Sequence, residues 1–265
     1  MKRIEKTFKT IRDENRTALI PFIMAGEPNL DASLEVMKAL PEAGADLIEI
    51  GMPFTDPAAD GLAIQLAGQR ALAAGASLKS TLEMIAAFRK ENTKTPVILM
   101  GYYNPIFAYG SDRFITDALA AGVDGVIIVD LPPEESTVFA RSSTGAGLDF
   151  IRLITPTTQG DRITKITDEA TGFLYYVSIT GVTGAAKADL GTIKPHLDDI
   201  RAKTDLPIAI GFGIKTPDDA AHMAQIGDGV VVGSAIIKTL AENQDSADLA
   251  QLIAAQVSAL AGSLR

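Results

Sequence analysis

The chain has 265 residues, of which 47% are apolar and 22% charged, and its net charge is −9. This length allows one large domain or two small ones, and it suffices to bury a core without disulfides or metals. The chain contains no cysteine, which excludes disulfides, thiolate nucleophiles and cysteine-based zinc sites. Its two histidines, His196 and His222, lack metal-ligand spacing. The sequence also has no basic stripe of the kind that binds nucleic acid, which argues against nucleic-acid binding as a function.

The chain begins with an amphipathic segment, for which we predict a short helix over about residues 2–15. This segment has no apolar core like that of a signal peptide. No apolar run elsewhere approaches the ~20 residues of a membrane-spanning helix. The sequence therefore predicts a cytoplasmic protein.

Short segments rich in β-branched residues recur along the chain, and Ala/Leu-rich segments with helical spacing lie between them. Gly44 and Gly122 each precede a predicted strand, as glycines at helix C-caps do. The predicted strands are residues 18–26, 46–53, 96–103, 125–130, 149–156, 173–179, 207–214 and 229–235. Eight strands alternating with helices predict a parallel sheet, and eight is the number that closes a (β/α)8 TIM barrel. With no linker in the sequence, residues 1–265 are expected to form a single domain; a doubly wound open sheet is the main alternative.

Glu49 lies within the second predicted strand, which is otherwise apolar. An ionised carboxylate buried there costs several kcal/mol unless it is paired or used. Leu47 and Gly51 share its face of the strand, whereas Ile48 and Ile50 point to the other face. In a barrel, Glu49 would then point inward near the mouth, where barrel active sites lie. The alternative, a carboxylate facing solvent at a sheet edge, requires an edge that a closed barrel lacks.

Asp60 ends a loop rich in turn residues that follows the second strand. Its position before Gly61 and a helical segment is typical of a turn former or helix cap. Asp56 and Asp130 occupy similar positions. The local pattern alone therefore favours a structural role for Asp60.

Glycine-bearing turns accompany the last three predicted strands, at residues 181–184, 211–214 and 233–235. Glycines let backbone N–H groups approach an anion closely, and Ser234 would begin a helix whose first N–H groups are unpaired. Barrels often bind a phosphate group at the loops after strands 7 and 8. Tight turns alone would explain any one of these glycines. Together they predict a phosphate site that includes Gly184, Gly213, Gly233 and Ser234.

Longer motifs carry more specific information. After Glu49 the chain reads Gly51-Met52-Pro53-Phe54-Thr55-Asp56-Pro57, then Ala59-Asp60-Gly61. Other motifs are Pro21-Phe22, Tyr102-Tyr103-Asn104-Pro105, Asp130-Leu131-Pro132, Tyr175-Tyr176-Val177-Ser178, Gly181-Val182-Thr183-Gly184 and Gly211-Phe212-Gly213-Ile214. With these motifs the chain resembles the tryptophan synthase alpha chains over essentially its whole length.

The resemblance implies a (β/α)8 barrel that cleaves indole-3-glycerol phosphate to indole and glyceraldehyde 3-phosphate, a retro-aldol reaction that needs no cofactor. It implies that Glu49 is the general acid/base that protonates indole C3. It implies that Asp60 accepts a hydrogen bond from the indole N–H and stabilises the developing cation. The loop of residues 179–189 resembles the mobile lid over the active site of this family. The substrate pocket is expected to comprise Phe22, Met100, Ile127, Leu153, Tyr175, Thr183 and Phe212.

The resemblance also implies a partner, a pyridoxal-phosphate beta chain that receives indole through a tunnel in an α2β2 heterotetramer. The expected contact residues are Asp56, Pro57, Asn104, Pro105 and Phe107. The aromatic residues Tyr102, Tyr103 and Phe107 suit either this interface or the core, because aromatic side chains near a barrel mouth serve both purposes.

The chain departs from the usual family pattern at several positions. Met24 and Glu27 replace Thr and Asp, Thr55 replaces Ser, and Leu62 replaces Pro. The first two could alter lid contacts or rate. Other readings remain open: a stand-alone lyase that releases free indole, a phosphosugar isomerase, and a partner subunit that binds the ligand without catalysis.

Overall fold

Eight parallel strands close into a barrel in the computed structural model, which describes residues 1–177, 189–211 and 213–265. The strands are β1 (Ala18–Met24), β2 (Ile48–Gly51), β3 (Val97–Gly101), β4 (Gly125–Ile128), β5 (Asp149–Ile154), β6 (Leu174–Val177), β7 (Ile208–Gly211) and β8 (Gly229–Val232). They pair in chain order, and β8 pairs with β1. The predicted TIM barrel is confirmed, and the open-sheet alternative is wrong because the strand order has no edge.

Helices surround the barrel and connect its strands. They are α1 (Arg3–Asp13), α2 (Leu30–Ala39), α3 (Leu62–Ala73), α4 (Leu78–Arg89), α5 (Tyr103–Tyr109), α6 (Ser111–Ala121), α7 (Pro133–Ala146), α8 (Asp161–Glu169), α9 (Leu190–Arg201), α10 (Pro217–Ala224), α11 (Ser234–Glu242) and α12 (Leu249–Gly262). Gly122 caps α6 with a φ of +90°, as predicted, whereas Gly44 lies in the turn beyond the C-cap of α2. Within the described ranges, none of these helices is long and apolar enough to span a bilayer.

Each predicted strand contains the observed strand but extends beyond it. The second strand, predicted over residues 46–53, pairs only over Ile48–Gly51. The apolar character continues past the last ladder residues because the following residues remain buried while they turn away from the sheet. Met52 and Pro53 are such buried residues. These ends form the mouth of the barrel.

Helix α1 closes the N-terminal end of the barrel. Its buried face packs into the same apolar cluster as the inward-facing strand residues, and the ring centroids of Phe8 and Phe173 lie 5.6 Å apart. Lys2 Nζ, just before α1, lies 2.7 Å from the buried Asp149 Oδ1 at the start of β5. The buried residues on this face are Ile4, Phe8 and Ile11.

Candidate active site

A cavity of about 720 Å³, its open mouth included, lies at the C-terminal ends of the strands. This volume suits a small-molecule ligand, and the position is where TIM-barrel enzymes hold their active sites. The predicted site residues that line it are Phe22, Glu49, Asp60, Met100, Tyr175, Gly213, Gly233 and Ser234.

Glu49 occupies the cavity wall between Phe22 of β1 and Ile98 of β3, its register partners in the two neighbouring strands. The residue is 2% exposed, and among the described residues its Oε1 has no hydrogen-bond partner. Burial in these surroundings, reinforced by the negative charge of Asp60, raises the pKa of Glu49 to about 8. The carboxyl group therefore carries a proton at neutral pH.

Asp60 is a half-buried carboxylate beside Glu49. Burial raises the pKa of Asp60 to about 6, while a hydrogen bond from the Tyr102 hydroxyl opposes the rise. The residue that caps α3 is Gly61, with no side-chain cap bond. The helix-cap interpretation of Asp60 is therefore wrong. At neutral pH the site pairs a protonated Glu49 with an ionised Asp60.

Tyr102 positions Asp60, a role that the sequence did not predict. Its hydroxyl accepts the Ala59 N–H at 2.9 Å and donates to the Asp60 carboxylate. The ring is 4% exposed and its centroid lies 5.3 Å from that of Phe54. The available signal is position, because Tyr102 directly follows β3 at the end of the barrel that carries active sites.

Two glycines provide room for the aromatic walls of the cavity. A Cβ on Gly51 would lie 2.6 Å from Phe22 Cζ, and one on Gly211 would lie 2.5 Å from Tyr175 Oη. Real Cβ atoms do not approach other atoms this closely. The absent side chains thus leave room for the rings of Phe22 and Tyr175 beside the strands. Burial, and after it the charge of Glu49, raises the pKa of Tyr175.

The predicted phosphate residues that the structure describes lie together at the cavity. Gly213 has a φ of +58°, a conformation that favours glycine, and Gly233 is the N-cap of α11. Ser234 begins this helix, whose first N–H groups have no partners within the helix. Thr183, Gly184, Phe212 and nearly all of the predicted lid, residues 179–188, lie outside the described residues.

A family model described as tryptophan synthase alpha chain matches residues 8–263. The chain belongs to this family. It is therefore a carbon–carbon lyase of tryptophan biosynthesis that cleaves indole-3-glycerol phosphate to indole and glyceraldehyde 3-phosphate. The isomerase interpretation and the non-catalytic interpretation are both wrong.

Solved structures agree with the family. The alpha subunit of tryptophan synthase from Legionella pneumophila is 41% identical, with a TM-score of 0.92 over 99% of this chain and 98% of that one. A chain of tryptophan synthase from M. tuberculosis, in an aminoacrylate-bound form, is 32% identical, with a TM-score of 0.89 over 100% of both chains. A protein from Aquifex aeolicus is 35% identical, with a TM-score of 0.90 over 100% of both chains.

Two residues predicted for the substrate pocket lie outside the lining of this cavity. Ile127 is fully buried, one inward-facing position deeper along β4, and Val129 lines the cavity instead. Leu153 lines a neighbouring hollow beside Arg152. Ile127 and Leu153 are expected from the family resemblance, which does not give the depth of the cavity floor in this chain.

The predicted partner-contact residues lie on the loop after β2 and on α5. Asp56 and Asn104 are exposed, Pro57 and Pro105 are half-buried, and Phe107 is 69% exposed. The aromatic group is therefore divided, because Tyr102 is buried at the active site whereas Phe107 faces solvent. Leu62, at the start of α3, is also exposed, at 71%.

Proposed function

We propose that Glu49 is the acid that protonates C3 of the indole ring and that Asp60 stabilises the cation that results. The observation that carries this proposal is the buried Glu49, whose Oε1 has no partner among the described residues, in the wall of a cavity that also holds Asp60. A carboxyl with a raised pKa is a competent acid near neutral pH. An ionised carboxylate aimed at the indole nitrogen stabilises positive charge as it develops.

The proton balance of the reaction suits this pair. Transfer of the Glu49 proton to C3 leaves a cationic indolenine. The N–H of this cation donates a hydrogen bond to the Asp60 carboxylate. The Glu49 carboxylate then takes the proton of the adjacent glycerol hydroxyl while the carbon–carbon bond breaks. The bonding electrons restore the indole ring, the hydroxyl carbon becomes the aldehyde, and Glu49 regains its proton.

The substrate phosphate is assigned to Gly213, Gly233 and Ser234, with Gly184 as a further ligand. The support is the positive φ of Gly213 and the free N–H groups at the start of α11, all at the cavity. Phe22, Met100 and Tyr175 form apolar walls for the indole ring.

We also propose that a tryptophan synthase beta chain binds over the mouth of the barrel, in an α2β2 complex in the cytoplasm, and receives indole there. Support comes from the exposed apolar side chain of Phe107, which shares α5 with the predicted contacts Asn104 and Pro105. The other predicted contacts, the exposed Asp56 and the half-buried Pro57, lie on the loop after β2. Measuring indole release with and without added beta chain separates this proposal from a stand-alone lyase, for which the added chain has no effect.

Replacing Glu49 by Gln tests the acid. We expect indole release from the Glu49→Gln variant to fall by about 10²-fold or more, since general acid–base catalysis contributes this much. Calorimetric binding of indole-3-glycerol phosphate should remain. Asp149→Asn is the matched control, because Asp149 is a buried carboxyl at the opposite end of the barrel. Wild-type turnover in the Glu49 variant would refute the assignment.

A further inference from the structure

Glu27 forms an ion pair outside the cavity that the proposed chemistry does not use. It lies in the loop after β1, is 1% exposed, and accepts a hydrogen bond from Arg70 Nε at 2.8 Å through Oε1. Arg70 NH2 contacts the same oxygen. The other oxygen, Oε2, is buried without a partner among the described residues.

This ion pair is costly for the fold. Burial raises the pKa of Glu27, and Arg70 only opposes that effect. Buried ion pairs of this kind contribute little net stability, and an apolar pair of similar volume is often as stable. A role in positioning explains the pair better than a role in stability. Two guanidinium nitrogens on one carboxylate oxygen fix where α3 lies relative to the loop after β1.

The two ends of the pair belong to neighbouring strand-loop units, those of β1 and β2, and each unit contributes to the active site. Glu27 lies three residues after Met24, which lines the cavity. The sulfur of Met24 packs against Gly51 of β2, since a Cβ added to that glycine would lie only 3.0 Å from it. Arg70 lies on α3, which begins immediately after the loop that carries Asp60. Gln65, five residues before Arg70 on this helix, donates from Nε2 to the Asp60 carbonyl oxygen at 2.8 Å.

We propose that Glu27 and Arg70 are positioning residues that hold α3, and through Gln65 the Asp60 backbone, at the distance from β1 that catalysis requires. This inference rests on the proposed role of Asp60. Since Asp60 acts on charge that appears only in the transition state, loss of the pair lowers kcat and leaves ground-state binding nearly unchanged.

The test compares Glu27→Gln, Arg70→Met and the double variant in steady-state indole release from indole-3-glycerol phosphate. We expect each single variant to lower kcat by about 10-fold with KM changed less than about 2-fold, since small displacements of catalytic groups are costly. The double variant should resemble either single variant, because the two residues act as one unit. Glu27→Asp, which keeps the charge, should recover part of the lost kcat.

Asp149→Asn is again the control, since it neutralises a buried carboxylate paired with Lys2 away from the cavity. Urea unfolding gives the free energy of unfolding of each variant, so that variants of similar stability can be compared. The inference is overturned if Glu27→Gln and Asp149→Asn have the same kcat, if the two losses add in the double variant, or if Asp is no better than Gln. Failure of the proposed role of Asp60 would instead appear as wild-type turnover in Asp60→Asn, whatever the Glu27 and Arg70 variants do.

Discussion

At the scale of single residues, the site depends on two carboxyl groups with different protonation states. The pKa of Glu49 is about 8 and that of Asp60 about 6, so the active form holds a proton on Glu49 and none on Asp60. This form is most populated between these two values. The protein achieves the difference by burying Glu49, whose Oε1 has no hydrogen-bond partner in the described part of the chain, and by giving Asp60 a hydrogen bond from the Tyr102 hydroxyl.

The pH dependence of kcat/KM tests this arrangement. We expect a bell-shaped profile with limbs near pH 6 and pH 8, since activity is lost when Asp60 gains a proton or Glu49 loses one. In Tyr102→Phe the loss of the donated hydrogen bond should move the acid limb upward by about half a pH unit or more. Tyr109→Phe is the control, since its hydroxyl binds Asp117 instead. An acid limb that does not move would contradict the role of Tyr102.

At the scale of elements, the cavity depends on the close packing of β1 against β2. Gly51→Ala places a Cβ against Phe22 and Met24, and it should lower indole release about 10-fold and the free energy of unfolding by about 1–3 kcal/mol. Gly145→Ala, within α7 and with open space around its Cα, should be neutral or slightly stabilising. Urea titrations and an indole assay measure both effects. Equal behaviour of the two variants would show that Gly51 is not needed for packing.

The sequence predicted the elements far better than their contacts. Alternation placed Glu49 inside the barrel, and the parallel topology placed it near the mouth, because both follow from local spacing. The bond between Tyr102 and Asp60 and the pair of Glu27 with Arg70 join separate strand-loop units. Such contacts depend on how far each loop folds back over the barrel, which no local pattern specifies.

At the scale of the whole molecule, the buried acid costs stability. The pKa of Glu49 is raised from 4.5 to about 8, so the folded chain retains a proton between these values that the unfolded chain releases. Stability is therefore lost as the pH rises through this range. Gln at this position does not titrate. The free energy of unfolding of Glu49→Gln, relative to wild type, should thus increase by about 1–3 kcal/mol from pH 5 to pH 8.5.

Urea unfolding at the two pH values measures this difference. Asp149→Asn provides the comparison, because Asp149 is equally buried but has Lys2 as a partner. If the difference between Glu49→Gln and wild type does not change with pH, the buried carboxyl does not hold its proton as inferred.

Helix α1 has a consequence for how the substrate enters the barrel and how the products leave it. Because Ile4, Phe8 and Ile11 fill the N-terminal end of the barrel, the described part of the barrel opens only at its C-terminal end. Indole and the aldehyde must depart by the route that the substrate used on arrival. Whichever product is nearer the exit leaves first, and any molecule seated over that exit decides when the second can follow.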